Sequence, residues 1–159
     1  MARAGLDLPA VLAAAAEIVD TRGVEELSLA TLAKQLGIRS PSLYNHVDGL
    51  PGLRRHLALY GFALMRDAFV RAAIGKAKDE AVKAMALALL EFVRSHPGLY
   101  EVTERFADLQ DPEMQQASGE VVEVIVRVLQ AYGLRDDMAI HVTRGFRSLV
   151  HGFASAARK

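Results

Sequence analysis

Residues 27–47 read LSLATLAKQLGIRSPSLYNHV, and the order of caps, apolar spacing and breakers in this stretch decides the fold. Ser28 suits a helix N-cap, where its hydroxyl can accept a free backbone N–H of the first turn. Leu29, Leu32, Ala33 and Leu36 then fall at i, i+3, i+4 and i+7, one apolar helical face. Gly37 stops that helix, because glycine enters the left-handed backbone region without a steric penalty. Ser40 and Pro41 open the next one, serine as N-cap and proline at the first helical position, where its missing N–H costs nothing. Leu43 and Val47 are expected core residues. A helix, a short glycine-containing turn and a second short helix sized for a DNA major groove make the helix-turn-helix pattern.

The same punctuation, followed outward, predicts an all-α chain: a three-helix helix-turn-helix module followed by a helical bundle. Helices are expected over 7–21, 28–36, 41–46, 53–74, 79–95, 99–109 and 111–132, and from Asp136 or Asp137 onward. Residues 48–52, DGLPG, read as a turn, and His96-Pro97-Gly98 as a helix terminator. The 159 residues are 52% hydrophobic with only five prolines, which suits one small module and one helical core.

Composition also excludes. With no cysteine there is no disulfide framework or thiolate metal site. PAVLAAAA near the start is followed at once by Glu17 and Asp20, and its spacing is amphipathic rather than that of a signal peptide. AMALALL is too short to span a bilayer, so no membrane partner is expected and a cytoplasmic location is. His96, His141 and His151 are isolated, and no glycine-bounded nucleophile elbow occurs, so no catalytic or metal residues are proposed. The formal net charge is zero. In the first 56 residues Arg3, Arg22, Lys34, Arg39, Arg54 and Arg55 balance Asp7, Glu17, Asp20, Glu25, Glu26 and Asp48. Since phosphate contacts supply much of DNA affinity, one such module binds weakly and two held in a dimer bind far better.

The run LAKQLGIRSPSLYNHV, with the helix before it and the leucine-rich helix after it, resembles the TetR family of bacterial transcriptional regulators. The likeness is strongest over residues 9–59. It returns at RGFRSLVHGF, residues 144–153, which is similar to the penultimate helix of one TetR C-terminal subgroup. Ala33, Leu36, Gly37, Leu43, Tyr44 and His46 stand where the family pattern expects them. The resemblance implies a DNA-binding domain at 1–49 and a ligand-binding and dimerisation domain at 50–159. It implies a homodimeric, ligand-responsive repressor that binds palindromic double-stranded operator DNA, is released by a largely apolar small-molecule inducer and needs no cofactor. The other readings are a constitutive architectural DNA binder and a helical enzyme. Two departures stand out: the lysine that commonly clamps a phosphate after the recognition helix is absent, leaving Arg54 or Arg55 to replace it, and Ala30 stands where some relatives place a base-reading side chain. The sequence also stops at Lys159, where a further helix is implied, and a missing C-terminal segment is expected rather than a shortened member.

For DNA the candidate residues are Ser28, Arg39, Ser40, Pro41, Ser42, Tyr44, Asn45 and His46. Arg39 can face guanine with two donors, Asn45 can read adenine, and Pro41 can meet a thymine methyl group. Ser28 and Ser42 can reach phosphate or base edges, Ser40 caps the helix, and the resemblance gives Tyr44 and His46 to phosphates. Bulky, deformable side chains crowd the later helices. Met65, Phe69, Phe92, Tyr100 and Phe106, with His141 and Arg144 as polar groups, are the candidate ligand residues; the bland alternative is that they are core. For the dimer, Gly145, Ser148, Gly152 and Ala156 recur at spacings of three and four, flanked by Leu149 and Phe153. The resemblance implies a pivot of the fourth helix on induction, with Gly61 and the Gly49/Gly52 turn as soft points.

Overall fold

The computed structural model describes residues 6–134 and 136–156, and for 136, 150 and 153–156 the backbone alone. Among the described residues the secondary structure is helical, without strands. Seven α-helices follow in order: α1 (Leu8–Arg22), α2 (Leu29–Leu36), α3 (Gly49–Ala73), α4 (Lys78–Ser95), α5 (Pro97–Arg105), α6 (Pro112–Gln130) and α7 (Asp136–Ala156). Short 3-10 segments occupy Val24–Glu26 and Ser40–Asn45. The chain divides into two compact units, Met1–Gly61 with His96–Ala107, and Phe62–Ser95 with Asp108–Lys159.

In the first unit α1 packs against α2 and α5. Asp7 caps α1, accepting the Ala10 N–H at 2.9 Å. A reciprocal capping box opens α2: the Thr31 N–H donates to Ser28 Oγ and the Ser28 N–H to Thr31 Oγ1, both at 3.0 Å. Gly37 ends it at φ 65°, and Ile38 donates back to the Ala33 carbonyl at 3.0 Å. Gln35 ties α2 to α1, donating to Glu17 Oε2 at 2.9 Å and accepting from Arg22 at 3.2 Å. The buried core runs through Val11, Ala15, Ile18, Leu27, Leu32, Leu43, Leu53, Leu57 and Leu99.

Three local expectations are corrected. The recognition segment is a 3-10 helix over Ser40–Asn45, with Arg39 rather than Ser40 at its N-cap position and no side-chain capping bond. The DGLPG stretch starts α3 at Gly49, since Pro51 in a first turn forfeits no hydrogen bond and its fixed φ suits a helix. Likewise Pro97 initiates α5, which runs Pro97–Arg105, and Gly98 lies inside it.

In the second unit α4, α6 and α7 pack pairwise around Met65, Phe69, Met85, Phe92, Met114, Ile125 and Ala139. Arg66 bonds Glu120 at 2.7 Å and Asp67 at 2.9 Å, and these acceptors raise its pKa; Gln116 and then Arg66 lower that of Glu120. The Tyr132 hydroxyl donates to Asp79, which pushes the phenol up to about 12. No helix among the described residues is long and apolar enough to cross a membrane.

Candidate nucleic-acid interface

A 3-10 helix has three residues per turn, so side chains at i and i+3 eclipse one another. Over Ser40–Asn45 this sorts the candidate residues into rows. Leu43 is buried, and Ser40 and His46, three residues to either side of it, are half-buried. Pro41 and Tyr44 form a second, exposed row, with Tyr44 61% exposed. Ser42 and Asn45 form a third, also exposed, and exposed Arg39 stands just before the segment. Leu43 and Val47 anchor the segment from beneath at 0% and 3% exposure, while a tyrosine, an amide, a hydroxyl and a guanidinium stand outside. That is the chemistry for phosphate and base-edge contact.

The other DNA candidates are placed differently. Ser28 is half-buried and its Oγ is committed to the α2 cap. Arg54 is drawn inward: its guanidinium carbon lies 4.7 Å from the centre of the Phe106 ring, and its Nε is buried without a hydrogen-bond partner. Arg105 lies over the same ring at 5.3 Å and bonds Glu25 at 2.8 Å and Glu101 at 2.9 Å. Of the two arginines considered for the phosphate clamp, Arg54 is therefore engaged with Phe106, and Arg55 is half-buried.

The candidate ligand residues are shared between the two units. Met65, Phe69 and Phe92 are buried in the second unit. Tyr100 is buried and Phe106 half-buried in the first unit, the latter beneath the two arginines. His141 and Arg144 are exposed on α7, whose inward row holds Ala139 and Thr143. The expected dimer residues Gly145, Ser148, Leu149 and Gly152 are all exposed, in line with Met138 at 55% and Leu149 at 63%. Phe153 and Ala156 have side chains outside the described residues.

Sequence reasoning missed the joint between α1 and α5. Asp20 bonds His96 and Leu99, and Gly98 packs on the α1 backbone. Only proline at the start of a possible helix, following a histidine, hinted at it.

Residues 82–159 match the tetracyclin repressor-like C-terminal domain family. Over 152 residues the chain is 37% identical to an uncharacterized HTH-type transcriptional regulator, YobS, of Bacillus subtilis strain 168, spanning 95% of this chain and 78% of that protein. A protein of unknown function from Rhodococcus sp. RHA1 shares the fold with a TM-score of 0.80 at 24% identity, over 97% of this chain and 84% of its own. The Streptomyces coelicolor TetR family protein ActR, solved in complex with (S)-DNPA, superposes with a TM-score of 0.69 at 21% identity, over 98% of this chain and 73% of its own.

Proposed function

This chain belongs to the TetR family of helix-turn-helix transcriptional regulators, which are not enzymes, and we propose that it works as a cytoplasmic, homodimeric, ligand-responsive repressor. The observation that carries the DNA-reading part is the pair of exposed rows on the 3-10 segment. Arg39, Ser42 and Asn45 supply donors and acceptors for base edges, and Pro41 supplies an apolar contact. Tyr44 is held rigidly at the surface by its buried neighbour Leu43, which suits a phosphate contact at a fixed register.

The dimer is proposed on α7. Met138, Val142, Gly145, Leu149 and Gly152 stand three or four residues apart, and all are exposed in the protomer. Apolar bulk beside glycine invites a second backbone to approach closely. A symmetric pair would place two recognition segments about one helical turn, roughly 34 Å, apart or somewhat more. For the inducer, the buried Met65, Phe69 and Phe92 of the second unit supply the apolar, adaptable surface, and ActR in complex with (S)-DNPA shows a small molecule held by another member of this fold. An inducer acts only by binding the DNA-incompetent state more tightly.

Selection of duplexes from a random-sequence pool tests the reading. A pseudo-palindrome should emerge. Arg39→Ala should relax preference at one base pair per half-site, costing about 1–3 kcal/mol, while Tyr44→Phe should weaken binding to every duplex alike. Unchanged affinity in both variants would remove the proposed contacts.

A further inference from the structure

Residues 74–80, the elbow between α3 and α4, are all exposed. Ala81 is fully buried, and Met85, Leu89 and Phe92 continue its row along the inward side of α4. Two residues of the elbow have left-handed backbones, Gly75 at φ 72° and Lys78 at φ 46°. Glycine enters that region freely, but a lysine does so at a steric cost, because its Cβ crowds the following carbonyl oxygen. Such a conformation persists only where its surroundings hold it. The start of α4 holds it loosely: the Ala81 N–H reaches the Ala77 carbonyl at 3.4 Å, long for a hydrogen bond. The firmer hold is the next residue. Asp79 accepts the hydroxyl of Tyr132, in the turn after α6, and among the described residues no other side-chain bond joins 74–80 to another helix. The phenol, pushed up to about 12, stays protonated and able to donate through the neutral range. The elbow, α4, α6 and Tyr132 all belong to the second unit.

We propose that this elbow is the door of the second unit, with Lys78 as its spring and the Tyr132–Asp79 bond as its catch. Met65, Phe69 and Phe92 are 7%, 1% and 6% exposed, so a small molecule reaches them only when the bundle opens. Local opening is easiest where few apolar groups must be wetted and little else is tied down. The elbow meets both conditions. Releasing the catch lets the first turn of α4 swing on Gly75 and Lys78, uncovers Ala81 and then Met85, and relieves the lysine. Closing restores the buried row and re-forms the bond. The door deepens the ligand-responsive reading and rests on it, and what it admits is a small, largely apolar molecule.

Amide hydrogen exchange in the full chain, read by NMR without ligand, tests the door. Residues 81–85 should exchange at least tenfold faster than residues 89–93 of the same helix. Tyr132→Phe, which keeps the ring and removes the donor, should quicken exchange at 81–85 fivefold or more and leave 89–93 within twofold. Lys78→Gly, which removes the strain, should slow exchange at 81–85 about threefold. Uptake of the apolar fluorescent probe 1-anilinonaphthalene-8-sulfonate, followed by stopped flow, should quicken and slow in the same two variants. Unchanged exchange at 81–85 in Tyr132→Phe, or an equal rise at 81–85 and 89–93, overturns the door. Should that variant fail to fold, unchanged exchange in Lys78→Gly does so. Exchange that responds while the probe enters at an unaltered rate also overturns it, because the elbow would then open without admitting anything. None of these measurements uses DNA, so failure of any small molecule to release the selected duplex would overturn the ligand-responsive reading while the door is judged on its own.

Discussion

Gly98 and Gly152 both sit inside helices, and their surroundings are opposite. A Cβ on Gly98 would stand 1.9 Å from the Val19 oxygen, 2.2 Å from its carbonyl carbon and 2.8 Å from the Asp20 nitrogen, all backbone atoms. At Gly152, as at Gly145, a Cβ would meet nothing within 4 Å among the described residues. Glycine within a helix costs about 1 kcal/mol against alanine, so each needs a packing reason. At Gly98 the reason is visible: two helix backbones touch within one protomer. On α7 the glycines, flanked by exposed Leu149 and Met138, offer the same kind of approach to a surface outside the protomer. One contact is already made, and the other is open.

Three substitutions would break or sharpen that contrast. Gly98→Ala should be the most damaging, because no side-chain rotation relieves a collision with backbone. A loss of about 3 kcal/mol or more in urea unfolding is expected, at the upper end of the overpacking range. A loss under about 1 kcal/mol would mean that α1 and α5 separate readily, and the contrast would fail. Gly61→Ala should come second. Its Cβ would lie 2.6 Å from Thr103 Cγ2 and 3.3 Å from Leu99 Cδ1, side-chain atoms able to yield partly, so a net loss of about 1–2 kcal/mol is expected. A gain in stability there would restore Gly61 as a simple soft point of α3, the role that the family resemblance implied.

Where the signal is local, the sequence was readable. Asp7, Ser28, Gly37 and Asp111 cap helices as their chemistry demands, since each cap involves residues a few positions apart. The helix-turn-helix was legible for the same reason. Pro51 and Pro97 misled because proline both ends helices and begins them, and only packing decides which. The bonds of Asp20 span 76 and 79 positions, and nothing in the residues around Asp20 announces a partner so distant. Phe106 carries the same lesson: a bulky aromatic suggested a ligand wall, but two arginines stack on it, one of them 52 positions earlier, where a phosphate clamp was sought. In the recognition segment, Leu43 and Val47 were expected as core, but the eclipsed pairing of Ser42 with Asn45 follows only from the 3-10 geometry.

The smallest effect belongs to Gly152→Ala, and its sign carries the information. In an isolated protomer the added methyl group meets no described atom, and alanine is the better helix former, so unfolding at high dilution should show a gain of roughly 0.5–1 kcal/mol. If a second copy of α7 lies against this face, the same methyl group intrudes between two backbones. Sedimentation equilibrium should then show a weaker dimer, and urea unfolding at high protein concentration should lose the gain seen at dilution, because association stabilises the fold by mass action. A dimer whose dissociation constant does not change on Gly152→Ala would place the interface on another surface, and the open glycines of α7 would have no packing role to explain them.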